Sequence, residues 1–412
     1  MSDSALDAAG SSLPLSPPRQ SAATSGAHSD ARADSAGKEH VIDAMRGFAA
    51  LLVAYFHCRQ VAWVGMQTFH QSVGHALSPG VLAAYLTFPI AWGSAGVPIF
   101  FVISGYCIHR GGALRLASNP AYRLDAGNFW VRRFARIYPV LLAALVLTFA
   151  LDWFSLQLPP VSHKIREIGL QSFLVNLFSL QGVAGKTYGS NGALWTLSLE
   201  VQFYAVYPLL FALRRRIGMT SVLAIVAVVN VLSAYVLERH DIQFFTSYWF
   251  SWTLGAWIAD ARARRAPHAP ASAWLYGLAA GFIALGCAAF HFGQYGAFQL
   301  WALGFAFYLY KALDHRNGKP RNTAAMRVLS RALSRVLSRF GDFSFSLYLI
   351  HLPIFVLLSS VLFRSSLQMS IWPSFGYMLV AVPVAYVFYR VVELPAMKWS
   401  ASFKPKAAAP QR

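Results

Sequence analysis

The sequence predicts an all-α, polytopic membrane protein with about ten transmembrane helices and both termini in the cytoplasm. Its composition is the first reason: of 412 residues, 56% are hydrophobic and only 12% are charged, and the mean hydropathy is +0.45. An ordinary soluble domain is about 45–50% apolar and about 25% charged, so this chain has too few charged residues to cover a soluble surface. The other two reasons are the long apolar runs and the position of Lys and Arg between them.

Ten apolar segments satisfy the requirement of a transmembrane helix for about 20 mostly apolar residues. They are residues 41–58, 92–109, 137–156, 193–213, 219–237, 244–260, 272–291, 295–313, 343–363 and 372–392. Two further segments are apolar. Residues 79–91 either lengthen the second span or form an interfacial helix, and residues 168–183, which carry Gln and Asn, either lie on the membrane or re-enter it.

The distribution of basic residues tests this set of spans. With a cytoplasmic N-terminus, 29 Lys and Arg residues fall on the cytoplasmic side and 6 on the opposite side. Cytoplasmic loops are enriched in Lys and Arg, so the split favours an even number of spans. It also explains most of the net charge of +19 without a nucleic-acid partner, because the basic residues are spread over alternate loops instead of one surface.

The chain divides into three regions. Residues 1–40 are rich in Ser, Ala, Gly, Asp and Pro and lack an apolar run, which predicts a disordered cytoplasmic tail without a signal peptide. Residues 41–396 form the transmembrane domain, and residues 397–412 a second cytoplasmic tail. Within the domain, residues 321–341 contain an Arg repeat of period four, which predicts an interfacial helix that meets anionic lipid headgroups or, alternatively, binds a phosphorylated donor.

The three cysteines have no spacing typical of a metal site. Cys58, Cys107 and Cys287 all fall in or near predicted spans. We therefore expect small apolar side chains, with neither a disulfide nor a bound metal.

Ionisable side chains inside a membrane are costly, so each is a candidate functional residue. In the first span, Arg46 and His57 are 11 residues apart. This spacing puts both on one helix face, separated by about 16 Å along the axis. Asp43 lies one turn before Arg46 and can pair with it. The alternative is that Arg46 anchors the helix at the interface and His57 is an ordinary interfacial histidine.

Other spans carry further candidates. Arg133 and Arg136 precede the third span and face one way, either as topology signals or as a site for phosphates. Glu200 is a lone carboxylate in the fourth span, for which His57 or an arginine is the natural partner. The remaining candidates are Ser104, Trp195, Tyr348 and His351, and Glu393 is expected to pair with Arg390 at the end of the last helix.

These segments, in order and spacing, resemble the membrane acyltransferase-3 family of bacterial O-acylating enzymes. The matching runs are Asp43 to His57, Gly96 to Tyr106, Arg133 to Pro139, Trp195 to Tyr204, Ser344 to Pro353 and Val392 to Pro395. The resemblance covers about 41–396. This chain departs from the pattern at Thr196, where Ser is usual, and at Val201, where a second Glu is frequent. It resembles the stand-alone form without a C-terminal SGNH domain.

The resemblance implies an integral-membrane O-acyltransferase of the bacterial inner membrane. Such an enzyme moves an acyl group, most simply acetyl, from acyl-CoA to a hydroxyl of a surface carbohydrate or glycolipid, with no bound cofactor. His57 is then the general base or an acyl carrier, Arg46 and Glu200 assist it, and Arg133 and Arg136 hold the donor phosphates. The alternative is a transporter or exporter that uses the buried charges without chemistry.

Overall fold

The computed structural model describes residues 22–73, 77–264, 272–314 and 324–403. Within these residues the regular secondary structure is helical, and two isolated β-bridges join Trp63 to Gln368 and Gln181 to Gly185. The α-helices are α1 (Ala22–Ala62), α2 (Met66–Val73), α3 (Pro79–Leu86), α4 (Gly96–Ser118), α5 (Ala126–Leu156), α6 (Leu170–Leu177), α7 (Leu194–Ile217), α8 (Met219–Leu237), α9 (Trp249–Arg264), α10 (Leu275–Ala289), α11 (Gln294–Ala312), α12 (Ala324–Asp342), α13 (Ser344–Phe363), α14 (Trp372–Phe388) and α15 (Leu394–Ser402).

The predicted all-α membrane architecture is confirmed. In the described part of the chain, seven helical stretches are long and apolar enough to cross a membrane. They are His40–Ala62, Pro79–Ser118, Ala126–Leu156, Leu194–Ile217, Met219–His240, Ser344–Phe363 and Trp372–Ser402. The other three predicted spans correspond to α9, α10 and α11, which are helical but shorter or less apolar. The count of ten and the cytoplasmic position of the termini stay predictions.

The segments outside the ten spans have specific structures. Residues 79–91 form α3 and the start of a 3-10 helix, Phe88–Ala95, which continues into α4. The segment 168–183 contains only the short helix α6. Of the predicted tail 1–40, residues 1–21 lie outside the described residues and residues 22–40 begin α1. The predicted tail 397–412 begins within α15, and its residues from 404 onward lie outside the described part.

Glycines permit the closest helix crossings. A Cβ atom added at Gly105 of α4 would lie 1.9 Å from the carbonyl oxygen of Trp252 on α9, and one at Gly255 would lie 1.8 Å from that of Val102. A similar contact joins α1 to α12, where a Cβ atom at Gly47 would lie 2.0 Å from the Leu337 carbonyl oxygen. Small residues let helix backbones approach in this way inside a membrane. These crossings hold α4 against α9 and α1 against α12.

The basic helix α12 packs along α1 beside this site. Ser338 is buried and bonds to His40 of α1, with 2.6 Å between its hydroxyl oxygen and His40 Nδ1. Arg331, Arg335 and Arg339 are exposed on the same helix. Of the basic helix predicted over 321–341, residues 321–323 lie outside the described residues and the rest is helical within Ala324–Asp342, while its contact with lipid stays a prediction.

Candidate active site

A cavity of about 150 Å³ lies between α1, α4, α5, α7 and α13. Its lining contains three arginines, Arg46, Arg133 and Arg136, but one carboxylate, Glu200. The remaining lining is mostly apolar and includes Phe100, Val97 and three Ile side chains. The cavity is therefore positively charged, enclosed by apolar walls, and built from residues that are far apart in the sequence.

The three arginines are only partly neutralised by the protein. Arg46 pairs with Asp43, as predicted, with 3.7 Å between Nη1 and Oδ1. Among the residues that the structure describes, the buried Nε atom of Arg133 has no hydrogen-bond partner, although the guanidinium lies over the rings of Phe129 and Tyr204 at 5.6 and 5.9 Å. Arg136 lies close enough to Arg46 and Arg133 to be repelled by both. Such an arrangement favours binding of an anion, because buried donors and clustered positive charges are costly when left alone.

Glu200 is held by neutral donors. Ser104 donates a hydrogen bond to Glu200 Oε1 at 3.1 Å, and the Tyr204 hydroxyl donates to the same oxygen. Trp252 in turn donates to the Ser104 oxygen at 3.2 Å. Within the described residues, Glu200 pairs with neither His57 nor an arginine. The predicted pairing is therefore wrong: the side chains that the helix packing brings to this carboxylate are the hydroxyls of Ser104 and Tyr204.

Glu393 was expected to pair with Arg390, and this prediction is also wrong. The backbone turns through a π-helical segment, Tyr389–Glu393, which leaves Arg390 exposed and Glu393 buried. Ser346 donates to Glu393 Oε2 through its backbone N–H at 3.2 Å and through its hydroxyl at 2.5 Å. Arg46 and Arg136 both attract the Glu393 carboxylate. Glu393 therefore lies behind the arginine cavity, as a further carboxylate near its arginines besides Glu200 and Asp43.

Tyr348 connects the cavity to a histidine pair. Its hydroxyl accepts a hydrogen bond from Thr196 at 2.7 Å, and its ring packs edge-on against Phe100. On the same helix, the ring of His351 lies 5.9 Å from that of Tyr348. Tyr348 lines the cavity and His351 lies behind it, so one aromatic side chain separates the arginines from the histidines.

His57 and His351 contact each other directly. His57 Nδ1 and His351 Nε2 are 2.8 Å apart, and the ring planes differ by 8°. His351 is fully buried, whereas His57 retains part of its surface. The two predicted histidines, 294 positions apart in the chain, therefore form one site. Trp195, in contrast, packs against Tyr248 and Phe298 outside the cavity lining.

Two buried acidic side chains were not predicted. Asp152 of α5 accepts hydrogen bonds from the Ser190 backbone N–H at 2.7 Å and the Ser190 hydroxyl at 2.6 Å. Gly189, with φ of +53°, is required there because a Cβ atom would lie 2.1 Å from Asp152 Oδ2. Burial raises the pKa of the neighbouring Tyr188 hydroxyl, which donates to the Ile168 carbonyl at 2.8 Å. Asp152 thus anchors the loop that leads into α7.

The second unpredicted acidic residue is Asp260 of α9, which is 1% exposed. Arg214 and Arg264 both donate to its carboxylate, and His109 Nε2 lies 3.5 Å from Oδ1. The signal for both residues was present in the sequence, since each is a lone carboxylate in an apolar segment.

The fold and site define a polytopic membrane protein with a basic internal cavity next to a buried histidine pair. The chain belongs to the acyltransferase-3 family, because the profile of that acyltransferase domain matches residues 39–390. It is therefore a membrane acyltransferase by family.

Curated relatives agree with this assignment. The chain is 28% identical over 222 residues to Nodulation protein 10 of Rhizobium leguminosarum bv. viciae, with 50% of this chain and 53% of the relative covered. It is 31% identical to the acyltransferase MdmB of Streptomyces mycarofaciens, covering 42% of this chain and 39% of the relative. It is also 30% identical to the peptidoglycan O-acetyltransferase OatA of Listeria monocytogenes, covering 31% and 21%. The match thus spans about half or less of the length of these relatives. No solved structure matches the chain.

Proposed function

We propose that this protein transfers an acetyl group from acyl-CoA to a hydroxyl of a surface carbohydrate or glycolipid in the bacterial cytoplasmic membrane. The observation that carries the proposal is the cavity that gathers Arg46, Arg133 and Arg136 beside Glu200 and one side chain away from the histidine pair. It is a site for a phosphorylated donor next to a base.

The arginines fit the donor. Coenzyme A carries several phosphate groups, and the planar guanidinium binds phosphate through two parallel hydrogen bonds. The unpartnered Nε of Arg133 supplies one such donor in a buried position. Apolar lining residues such as Val97 and Ile137 suit the uncharged arm that carries the thioester.

His57 fits the base. In the proposed reaction, a ring nitrogen of His57 takes the proton of the acceptor hydroxyl while the hydroxyl oxygen attacks the thioester carbonyl. The carbon–sulfur bond then breaks, the acetyl group remains on the acceptor oxygen, and the proton passes to the leaving thiolate. A second route has His57 carry the acetyl group itself before transfer. Ping-pong kinetics or a trapped acyl-imidazole distinguishes the second route from the first.

The predicted orientation gives the two substrates separate approaches. Arg46 lies nearer the cytoplasmic end of α1, and His57 lies about 16 Å further along the helix. Acyl-CoA then approaches from the cytoplasm, and a lipid-linked acceptor reaches His57 from the other side of the bundle.

The proposal is tested by mass spectrometry of surface glycans from cells with and without the protein. A mass difference of one acetyl group is expected with the natural chain and is lost with His57→Ala, while the exposed control Arg390→Ala keeps it. Purified protein in liposomes must also release CoA from acetyl-CoA when acceptor is present. Normal acetyl content in the His57→Ala strain, with the variant at normal level in the membrane, contradicts the role of His57.

A further inference from the structure

The contacts of His351 determine which of its ring nitrogens carries a proton. Its Nδ1 atom lies 3.0 Å from the carbonyl oxygen of Leu347, one turn earlier in α13. A carbonyl oxygen can only accept a hydrogen bond, so Nδ1 of His351 is the protonated nitrogen. In the neutral ring, Nε2 then carries no proton, and its lone pair can accept a hydrogen bond.

That acceptor faces His57. The nitrogens of His57 Nδ1 and His351 Nε2 are 2.8 Å apart while the ring centroids are 5.1 Å apart and the planes differ by 8°. The two rings therefore meet edge to edge in nearly one plane, which is the geometry of an N–H pointing at a ring lone pair. Since His351 Nε2 accepts, His57 Nδ1 donates, and His57 Nε2 is left with the lone pair.

The surroundings keep His351 in this state. Its side chain is fully buried, and the Leu347 residue that accepts from it is also fully buried. The rings of Tyr348 and Phe355 lie against it at 5.9 and 5.7 Å and make its surroundings largely apolar. His57, in contrast, keeps part of its surface accessible. The arrangement therefore fixes one histidine and leaves a lone pair on the other.

We propose that His351 is a positioning residue that holds His57 in the Nδ1–H form, so that His57 Nε2 is the atom that accepts the proton of the acceptor hydroxyl. The inference rests on the proposed role of His57 as general base. It adds the reacting atom and the residue that selects it. When Nε2 takes the proton, the His57 ring becomes positive, and its Nδ1–H bond to His351 becomes charge-assisted and stronger. The third residue of a Ser-His-Asp triad has the same role, here taken by a neutral ring.

Two variants of His351 separate positioning from packing. His351→Leu removes the acceptor, and we expect kcat to fall about 100-fold, the lower end of the range for general-base catalysis. The KM for acyl-CoA stays unchanged because His351 does not line the cavity. His351→Gln places an amide oxygen near the position of Nε2 and recovers part of kcat. Phe355→Leu is the control, because it alters the packing against His351 without removing a polar group.

Nitrogen-15 NMR of histidine-labelled protein in liposomes measures the protonation directly, without an activity assay. With the His57 signals assigned by their loss in His57→Gln, the natural chain is expected to show a protonated Nδ1 and an unprotonated Nε2. In His351→Leu, the His57 proton moves to Nε2 in a substantial fraction of molecules.

The outcomes distinguish this inference from the function it rests on. Activity in His57→Ala overturns the role of His57 as base. If His57→Ala is inactive but His57 carries its proton on Nε2 in the natural chain, only the positioning role falls. An unchanged kcat in His351→Leu likewise overturns the positioning role of His351 and leaves the role of His57 intact. Because the NMR measurement on the natural chain needs no variant of His351, the inference stays testable even if His351→Leu fails to fold.

Discussion

Two clusters of buried charge each include residues of α4, and the charges in the two clusters are paired differently. Around Asp260, two arginines donate to one carboxylate, and His109 lies between that carboxylate and the hydroxyl of Tyr207. Each charged group there has a partner of opposite charge or a polar partner. In the cavity, three arginines face one lining carboxylate, and the buried Nε atom of Arg133 has no hydrogen-bond partner in the part of the chain that the structure describes.

From this difference we predict that the Asp260 cluster stabilises the fold and that the arginine cavity binds a ligand, as the proposed function requires. A closed ion network fixes helices relative to one another, and removing one member exposes the others to the full cost of burial. A cluster of buried charges without full partners already carries the free-energy cost of burial when no ligand is bound, and binding of an anion lowers that cost. In this membrane domain, whether a buried charge has a protein partner therefore indicates its role more clearly than the type of residue does.

The largest expected effect is loss of Asp260. Asp260→Ala removes the carboxylate that pairs with Arg214, whose side chain is 11% exposed, and with the fully buried His109. We expect the free energy of unfolding to fall by about 3–5 kcal/mol, as for broken buried ion pairs. Thermal unfolding in detergent measures it. Arg264→Ala is the control, since 53% of that side chain is exposed and its pair contributes much less. Equal melting temperatures for natural chain and Asp260→Ala would mean that this network is not structural.

The cavity is expected to respond in the opposite way. Arg133→Gln removes a positive charge that lacks a full set of partners, so thermal stability is unchanged or rises. Loss of a charged hydrogen bond to the donor, about 1.5–3 kcal/mol, raises the KM for acyl-CoA roughly 10–100-fold. Arg132→Gln is a matched control, because the adjacent arginine does not line the cavity. A lower melting temperature with an unchanged KM would mean that Arg133 stabilises the fold and does not bind the donor.

The sequence was sufficient to predict the helices but not the contacts between side chains on different helices. All ten predicted spans coincide with helices because each depends on local hydropathy. The sequence also identified Arg46, Arg133, Arg136 and Glu200, which the structure gathers into one cavity. The partners of these residues depend on how the helices pack, and local patterns carry no information on packing. For this reason the Glu200 and Glu393 pairings were wrong, and the hydrogen bond between His57 and His351 was not foreseen.

The close crossing of α4 and α9 at Gly105 is expected to affect both stability and activity. Gly105→Ala would drive a methyl group into the Trp252 carbonyl, so α4 and α9 must separate. Overpacking of this kind costs about 1–3 kcal/mol, and it shifts the adjacent Ser104, which bonds to Glu200. Both melting temperature and kcat should fall. Gly111→Ala is the control on the same helix, since a Cβ atom there meets no neighbour. If the two alanine variants behave alike, the close crossing does not constrain the site.

The smallest expected effect concerns Tyr207, which contacts the Asp260 cluster through His109. The Tyr207 hydroxyl is 3.2 Å from His109 Nδ1, and both side chains are buried. Tyr207→Phe keeps the ring contacts and removes only this hydrogen bond, so unfolding should become easier by about 1 kcal/mol. The KM for acyl-CoA should not change, because Tyr207 does not line the cavity. Tyr235→Phe, on an exposed side chain, should alter neither quantity. A change in KM without a change in stability would show that the two clusters are coupled through α7, which carries both Tyr207 and Glu200.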